Sequence, residues 1–414
     1  MKILIIGNGG REHSIAWKAA QNKDVEKIYV APGNGGTLDE AKCENINITD
    51  YNQLLKFAKE KKIDITIVGG EKPLTDGIVD LFKSNGLKIF GPDSISARLE
   101  GSKAYSKDFM KKYGVKTAEY AVFEDSRKAL DYLKTANYPT VIKADGLAAG
   151  KGVIIANDYQ EAEVAVNQLM VLDIFKGSGK KIVIEEFLEG VEASILSVCD
   201  GETIIPFMSA KDHKKIFDKD MGPNTGGMGS ICPNPVCTPE VLKEFNDNIL
   251  VPTLNGIKGE KLNFCGVIFF GIIITKKGVY LLEYNVRLGD PETESVLPMM
   301  ENDFVDLIIK CMDKKLCDTK LTWKSGYSAC VIASSGGYPG SYITGYKISG
   351  LDKVKGKVFI AGANYKDDDL LTSGGRVLGV TCYGETLDEA LNKAYEDMRK
   401  IEFDGIYYRN DIGR

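Results

Sequence analysis

The sequence predicts an α/β fold in which residues 1–100 form a doubly wound parallel sheet. Three observations support this. Short runs rich in Ile and Val recur at 2–7 (KILIIG), 26–31 (EKIYVA), 63–69 (IDITIVG) and 87–91 (LKIFG). Longer amphipathic stretches, such as 11–22 and 50–62, lie between them. Glycines crowd the ends of the first two runs, in GNGGREH and APGNGGT. Strands alternating with helices read as parallel βαβ units, and glycine at a strand end permits the tight turn into the next helix.

Further along, 101–120 reads as a lysine-bearing helical connector. A smaller unit over about 121–188 contains VIKADGLAAGKGVIIA and closes on KIVIEEFLEG. The next region runs to about 321 and should hold a hairpin, with strands at 266–275 and 278–285 around KKG. The last region, 322–414, is expected to carry strands at 327–333, 357–362 and 376–383, then a helix over 386–401 capped by Thr386 or Glu385. The expected domains are therefore 1–100, 101–321 with a subdomain at about 121–188, and a small α+β domain at 322–414.

Composition bounds the function. The chain has 414 residues, 43% hydrophobic and 27% charged, enough for two or three sizeable cores. Its net charge of −5 argues against nucleic acid or an anionic membrane as the main partner. No apolar run is long enough for a transmembrane helix, and the one at the N-terminus is too short for a signal peptide. Nine cysteines without a CxxC pair suggest reduced thiols and a cytoplasmic location. Only two histidines occur, which nearly excludes His-rich metal sites and most triads. His13 is read as a helix-start residue with no chemistry.

Four stretches carry chemistry. GNGGREH could turn backbone N–H groups toward an anion. A dinucleotide fingerprint fails there, because Glu12 stands where the last glycine is required and no acidic residue follows the second strand. One phosphate on a small sugar fits better, and a pair of tight turns with no ligand is the alternative. In VIKADGLAAGKGV, Lys143 and Lys151 flank Gly146, Gly150 and Gly152, without the spacing of a Walker loop. That bare backbone is either a lid that closes over phosphates or a plain hairpin. IVIEEFLEGVEAS could offer strand-end groups to an adenine edge and Glu192 to a ribose, or be a strand before a solvated acidic turn. In LLEYNVRLGDPETE, Glu283 and Asn285 lie two apart and face one side of a strand. Their oxygens suit Mg²⁺, with Arg287 placed to stabilise a transferring phosphoryl group. Leu281, Leu282, Tyr284 and Val286 around them imply partial burial, which would make unpaired polar groups costly.

Taken in order, the two lysines, the glycine-rich loop, Glu-Glu-Phe-Leu and Glu-x-Asn-x-Arg resemble the ATP-grasp superfamily. GNGGREH, APGNGGT, EGSKAYSKDFM, VIKADGLAAGKGV, KDHKKIFDKDMGPNTGGMG, EYNVRLGDPETE, GGYPGSY and SGGRVLGVT narrow this to the glycinamide ribonucleotide synthetases, the phosphoribosylamine–glycine ligase family. The resemblance covers essentially the whole chain, and GPNTGGMG followed by RLGDPET is its most specific part. It implies an N-terminal pre-ATP-grasp domain, a central ATP-grasp α+β domain and a small C-terminal domain. It implies ATP-dependent ligation of glycine to 5-phosphoribosylamine through an acyl phosphate, a step of purine biosynthesis, with Mg²⁺ or Mn²⁺, in a cytoplasmic monomer.

Carried over by position, Lys103, Lys143 and Lys151 touch ATP phosphates, with Gly150 and Gly152 in the lid. Glu185, Glu186, Phe187 and Leu188 hold adenine, and Glu192 the ribose. Glu283 and Asn285 bind metal. Arg287, Asp212 and Lys151 are the catalytic set, and Gly289, Asp290, Pro291 and Glu292 line the acceptor pocket. Gly9, Gly10, Arg11, Asn34 and Glu71 meet the sugar phosphate. Two departures stand out: Gly69-Gly70-Glu71 replaces the family's usual Gly-Pro-Glu, and IFFGIII lacks the acidic metal ligand that many ATP-grasp enzymes carry on that strand. A nicotinamide dehydrogenase is disfavoured by Glu12, and an inactive ATP sensor by the retained Arg287 and Glu283. Another carboxylate–amine ligase would differ at 211–230 and 288–293.

Overall fold

The computed structural model describes residues 1–148, 152–175 and 177–414. The N-terminal sheet has five parallel strands in the spatial order Cys43–Asn45, Lys27–Pro32, Lys2–Gly7, Ile65–Val68 and Ile89–Phe90. Along the first strand, Ile3 and Ile5 enter one core while Leu4 and Ile6 enter the other, because successive side chains alternate between faces. Covering both faces is what makes the run continuously apolar. The strand order reverses beside Lys2–Gly7, so the crevice at the C-terminal ends of Lys2–Gly7 and Ile65–Val68 is the switch point where such sheets bind ligands.

The expected connector at 101–120 is one helix and an extended segment, entered from a preceding helix. Ser94–Gly101 begins at Asp93, whose carboxylate accepts from Ser96 N. Lys103–Tyr113 begins at Ser102, whose hydroxyl accepts from Tyr105 N, and ends at Gly114 with φ 71°. The following smaller unit is a four-stranded antiparallel sheet in the order Tyr120–Phe123, Ile182–Glu186, Thr140–Ala144 and Val153–Ala156. Helices Ser126–Leu133 and Tyr159–Val166 contribute Ala129, Leu133, Ala162 and Ala165 to its core.

The central sheet runs Ile204–Pro206, Val191–Cys199, Gly266–Thr275 and Gly278–Asn285, and the last two form the expected hairpin. Gly271 pairs with Glu283 and Ile272 with Leu281. Leu282 is thus the extra residue of a bulge, which re-aims the strand end.

The C-terminal sheet recruits two strands from earlier in the chain. Its order is Lys211–Asp212, Gly229–Cys232, Tyr327–Ser334, Arg376–Gly384 and Lys357–Ile360. A seam of backbone pairing therefore joins 211–232 to 327–384, and it brings Asp212 and Arg376 to one region. Helix Leu387–Met398 packs on this sheet behind its Thr386 cap. All nine cysteines are free thiols. No helix among the described residues is long and apolar enough to cross a membrane.

Candidate functional site

At the switch point, Glu12 occupies the space that a glycine would leave open in a dinucleotide loop. Its carboxylate accepts from Gly9 N at 2.6 Å and from Arg11 Nε at 2.9 Å. A Cβ at Gly69 would overlap that carboxyl, which accounts for glycine there. Arg11 N also points at Asp290 Oδ2, 3.4 Å away. Two amides of this helix start thus already face carboxylates.

Asn34, expected to meet the sugar phosphate, serves as a helix cap. It is 2% exposed and caps the helix Gly35–Asp39, accepting from Thr37 N. Its amide nitrogen donates to Asn8 O at 2.9 Å and to Ile360 O at 2.8 Å. The side chain staples the N-terminal unit to the C-terminal one and has no free face for a sugar. Glu71, despite the Gly70 departure, lies at the crevice with Oε2 3.4 Å from Arg287 Nε. Burial opposes ionisation of Glu71, but Arg287 and Arg11 hold its carboxyl below the usual range.

The lysines gather around two carboxylates. Glu185 is buried and ion-paired to Lys143 and Lys107, each at 2.9 Å. Lys107 Nζ also donates to Thr117 Oγ1 at 2.7 Å, and that hydroxyl donates to Leu281 O. Burial pulls the Lys107 ammonium down to about 8, against the pull of Glu185. Glu185, expected in the adenine set, is here the shared counter-ion of these two lysines. Glu186 is exposed at the strand end, with Oε1 accepting from Glu119 N, and Phe187 is 39% exposed. Leu188 follows, half-buried. Glu192 pairs with Lys214 at 2.7 Å.

Lys103 donates to Gly146 O at 3.3 Å, and burial lowers its ammonium while Glu283 and Asp145 oppose this. Gly152 directly precedes strand Val153–Ala156. Gly150 and Lys151 lie outside the described residues, so the expected lid lysine is not placed.

Glu283 and Asn285 emerge on one half-buried face beyond the bulge. Burial would raise the Glu283 carboxyl, but Lys214, Lys143, Lys103 and Arg287 together hold it below its ordinary value. Asn285 Oδ1 accepts from Arg287 Nη2 at 3.1 Å. The same guanidinium reaches Glu100 Oε1 at 3.0 Å, and Glu100 Oε2 accepts from Val286 N at 2.7 Å. Arg287 lies just past the strand end, clamped between Glu71, Glu100 and Asn285.

The acidic turn completes the site. Glu292 is buried and accepts from Ser194 Oγ at 2.8 Å. Asp290 pairs with Arg376 at 2.9 Å, and Arg376 Nη1 also donates to Gly226 O and Asp290 O. Gly289 and Pro291 set this turn, Gly289 O accepting from Thr293 Oγ1 and Pro291 O from Ser230 Oγ. Across it, Asp212 is held well above the usual carboxylate range, by burial first and then by Glu292. Its Oδ1 is buried without a hydrogen-bond partner among the described residues. Gly227, at φ 113°, leaves room for it, since a Cβ there would press on that oxygen.

Sequence reasoning missed Lys107, Glu100, Lys214, Glu294 and Arg376. The structure puts Arg376 among Asp212, Asp290 and Glu294. Lys107 was findable, because it lies four residues after Lys103 on one helix face.

A two-lysine, bulged-hairpin site between antiparallel sheets, docked on a parallel sheet's switch point, defines the ATP-grasp class of enzyme. Three matches to phosphoribosylglycinamide synthetase models tile the chain: the N domain over residues 1–100, the ATP-grasp (A) domain over 101–293 and the C domain over 328–414. The phosphoribosylamine–glycine ligase of Clostridium acetobutylicum is 64% identical over 414 residues, covering all of both chains. The crystal structure of phosphoribosylamine–glycine ligase from Thermotoga maritima superposes with a TM-score of 0.87 at 36% identity, covering all of both chains. The biotin carboxylase domain of Hydrogenobacter thermophilus 2-oxoglutarate carboxylase, solved with MgADP, shares the fold at a TM-score of 0.73 and 16% identity, over 98% of this chain and 91% of that one. The chain belongs to the phosphoribosylglycinamide synthetase family. It is a ligase, and enzymes of this class use ATP with a divalent metal.

Proposed function

We propose that the chain joins glycine to 5-phosphoribosylamine through a glycyl phosphate, giving glycinamide ribonucleotide, ADP and phosphate. The observation that carries this reading is an orphaned buried group at the acidic turn, Asp212 Oδ1, which has no hydrogen-bond partner among the described residues. An unpaired buried carboxylate oxygen is costly until a donor arrives, and the ammonium of glycine is such a donor. The Arg287 guanidinium, held by Glu71, Glu100 and Asn285 beside the metal-type strand, suits charge that develops on a transferring phosphoryl group.

In this reading Lys103 and Lys143 hold ATP phosphates, and Glu185 keeps Lys143 aimed. Glu186, Phe187 and Leu188 meet adenine, and Glu192 the ribose, steadied by Lys214. Glu283 and Asn285 would hold Mg²⁺ or Mn²⁺; two hard oxygens leave the remaining positions to phosphate and water, which suits either ion. When bound, the ion neutralises phosphate charge. Among the described residues no cluster of three His, Cys, Asp or Glu side chains competes for it. Arg11, Glu71 and the turn Gly289–Glu292 face the sugar amine. The protein acts as a cytoplasmic monomer.

The chemistry follows from the leaving group. A carboxylate would have to expel oxide to accept an amine. When its oxygen bonds to the γ-phosphorus, ADP departs, and the acyl carbon then carries phosphate. The sugar amine attacks that carbon, loses a proton, and phosphate leaves with one former carboxylate oxygen. Water must be excluded meanwhile, because it would hydrolyse the acyl phosphate. Glycine with heavy oxygen in its carboxylate should therefore pass one labelled oxygen into inorganic phosphate during turnover. Label retained wholly in product and water would refute the acyl phosphate.

A further inference from the structure

A second cluster of reactive groups lies at the other end of the N-terminal sheet. The strand Ile89–Phe90 runs parallel to Lys2–Gly7, so Lys88 marks the edge opposite the switch point. There a cavity of about 300 Å³ is lined by Lys83, Lys88 and Lys314 together with Cys265, Cys311 and Asp200. The two cysteine sulfurs are 4.0 Å apart, although 46 residues separate them in the chain. Cys265 immediately precedes strand Gly266–Thr275, and Cys311 lies in helix Phe304–Met312.

The two thiols are not equivalent. Cys311 is fully buried and donates its S–H to Cys199 O at 3.1 Å, so its proton is held. Cys265 is only partly buried. The charges of Lys83 and Lys314 favour its thiolate against the effect of burial. A partly exposed sulfur beside cations, with a second sulfur in reach, has the layout of a nucleophilic and a resolving cysteine.

We propose that Cys265 and Cys311 form an oxidant-sensitive dithiol, a modification site that takes a small hydroperoxide through this cavity. The Cys265 thiolate attacks one peroxide oxygen. The O–O bond breaks, hydroxide leaves and takes up a proton, and Cys265 becomes a sulfenic acid. The Cys311 sulfur then attacks the Cys265 sulfur. The S–S bond forms, the S–O bond breaks, and the departing hydroxide carries off the Cys311 proton as water. Two thiols and one hydrogen peroxide thus give one disulfide and two waters. The cavity exceeds the volume of a water molecule about tenfold, so peroxide fits. The bridge would close a covalent loop around the strand that bears Glu283 and Asn285.

The test uses the full-length protein, graded hydrogen peroxide and peptide mapping without reduction. The expected first product is a Cys265–Cys311 linked peptide, lighter by two hydrogens and reversed by dithiothreitol. It should form at least about tenfold faster than sulfenic acid at the exposed Cys317. In Cys311→Ser the step stops early, and dimedone should label Cys265. Because that variant could misfold, native protein is also alkylated with iodoacetamide, where Cys265 should react about tenfold ahead of Cys311. Oxidation of Cys317 with Cys265 and Cys311 left reduced would overturn the proposal. So would a linkage that appears only in denaturant.

Discussion

Glu185→Gln separates two accounts of one residue. If Glu185 reads the adenine amino group, the change alters nucleotide selection and leaves stability alone. In the structure it is the shared counter-ion of Lys107 and Lys143, with all three side chains no more than 8% exposed. The neutral amide leaves two ammoniums buried. Lys143 still feels Glu283, but the nearest group left to Lys107 is the Thr117 hydroxyl. Removing one partner of a buried ion pair costs about 3–5 kcal/mol, which is a fall of roughly 6–20 °C in melting temperature for a cooperative unit of about 200 residues.

Urea titration and calorimetry read the loss, and ATP against GTP turnover reads selectivity. Stability should fall by that amount while the preference for ATP holds. Adding Lys107→Met to Glu185→Gln removes the stranded charge and should recover about half of the loss. Stability within about 0.5 kcal/mol of the parent, together with lost ATP preference, would refute the counter-ion account.

Other outcomes can be checked alongside. Glu283→Gln should fold normally but shift the activating Mg²⁺ concentration up by at least about tenfold, since one charged oxygen ligand is lost; metal titration of initial rates reads this. Arg376→Met deprives Asp290 of its cation, and kcat/KM for glycine should fall roughly 10–100-fold with the KM for ATP little changed, from about 1.5–3 kcal/mol for charged hydrogen bonds. Asn34→Ala should cost about 1–2 kcal/mol through the lost cap without raising the KM for the sugar amine. Acid should destabilise the fold through its two histidines. Burial, aided by Lys357 for His13 and Lys211 for His213, pushes them down to about 3 and about 4. The unfolded chain takes up protons below about 6.5 while the folded one does not, so stability falls as pH drops from about 6.5 toward 3. At pH 5 each histidine should cost about 2 kcal/mol relative to neutrality; urea midpoints across pH, with and without His13→Asn, measure it.

Much of the architecture was legible because its signal is local. The run KILIIG is apolar on both faces, and the hairpin at 266–285 is two strand-like runs around Lys276-Lys277-Gly278, whose glycine takes φ 108°. Glu283 and Asn285 share a face because strands have period two, whatever surrounds them. Within the 101–120 connector the helix Lys103–Tyr113 is bounded by its Ser102 cap and by Gly114. The recruitment of 211–232 into the C-terminal sheet had no sequence signal, since Lys211–Asp212 is two residues long and shows no period.

The charge pairing within the site was harder to read, and for a physical reason. Spacing tells which side chains share a face, but a buried carboxylate's role depends on which cation reaches it from another element. Glu185 follows an apolar strand, as an adenine-edge residue would, and only the packing of helix Lys103–Tyr113 against that strand makes it a counter-ion. Arg287 looked free to meet phosphate, yet Glu100 and Glu71, both contributed from before residue 101, hold it in place. The Asn34 cap, by contrast, was written locally. Asn-Gly-Gly-Thr puts a capping side chain three residues before a hydroxyl that answers it, and weighing that against the ligand reading would have placed Asn34 in the scaffold. A polar residue near a glycine loop must therefore be tested first against the helix start beside it. In this chain the helix starts claim Asn34 and Glu12, and leave Arg11, Glu71 and Asp290 to face the crevice.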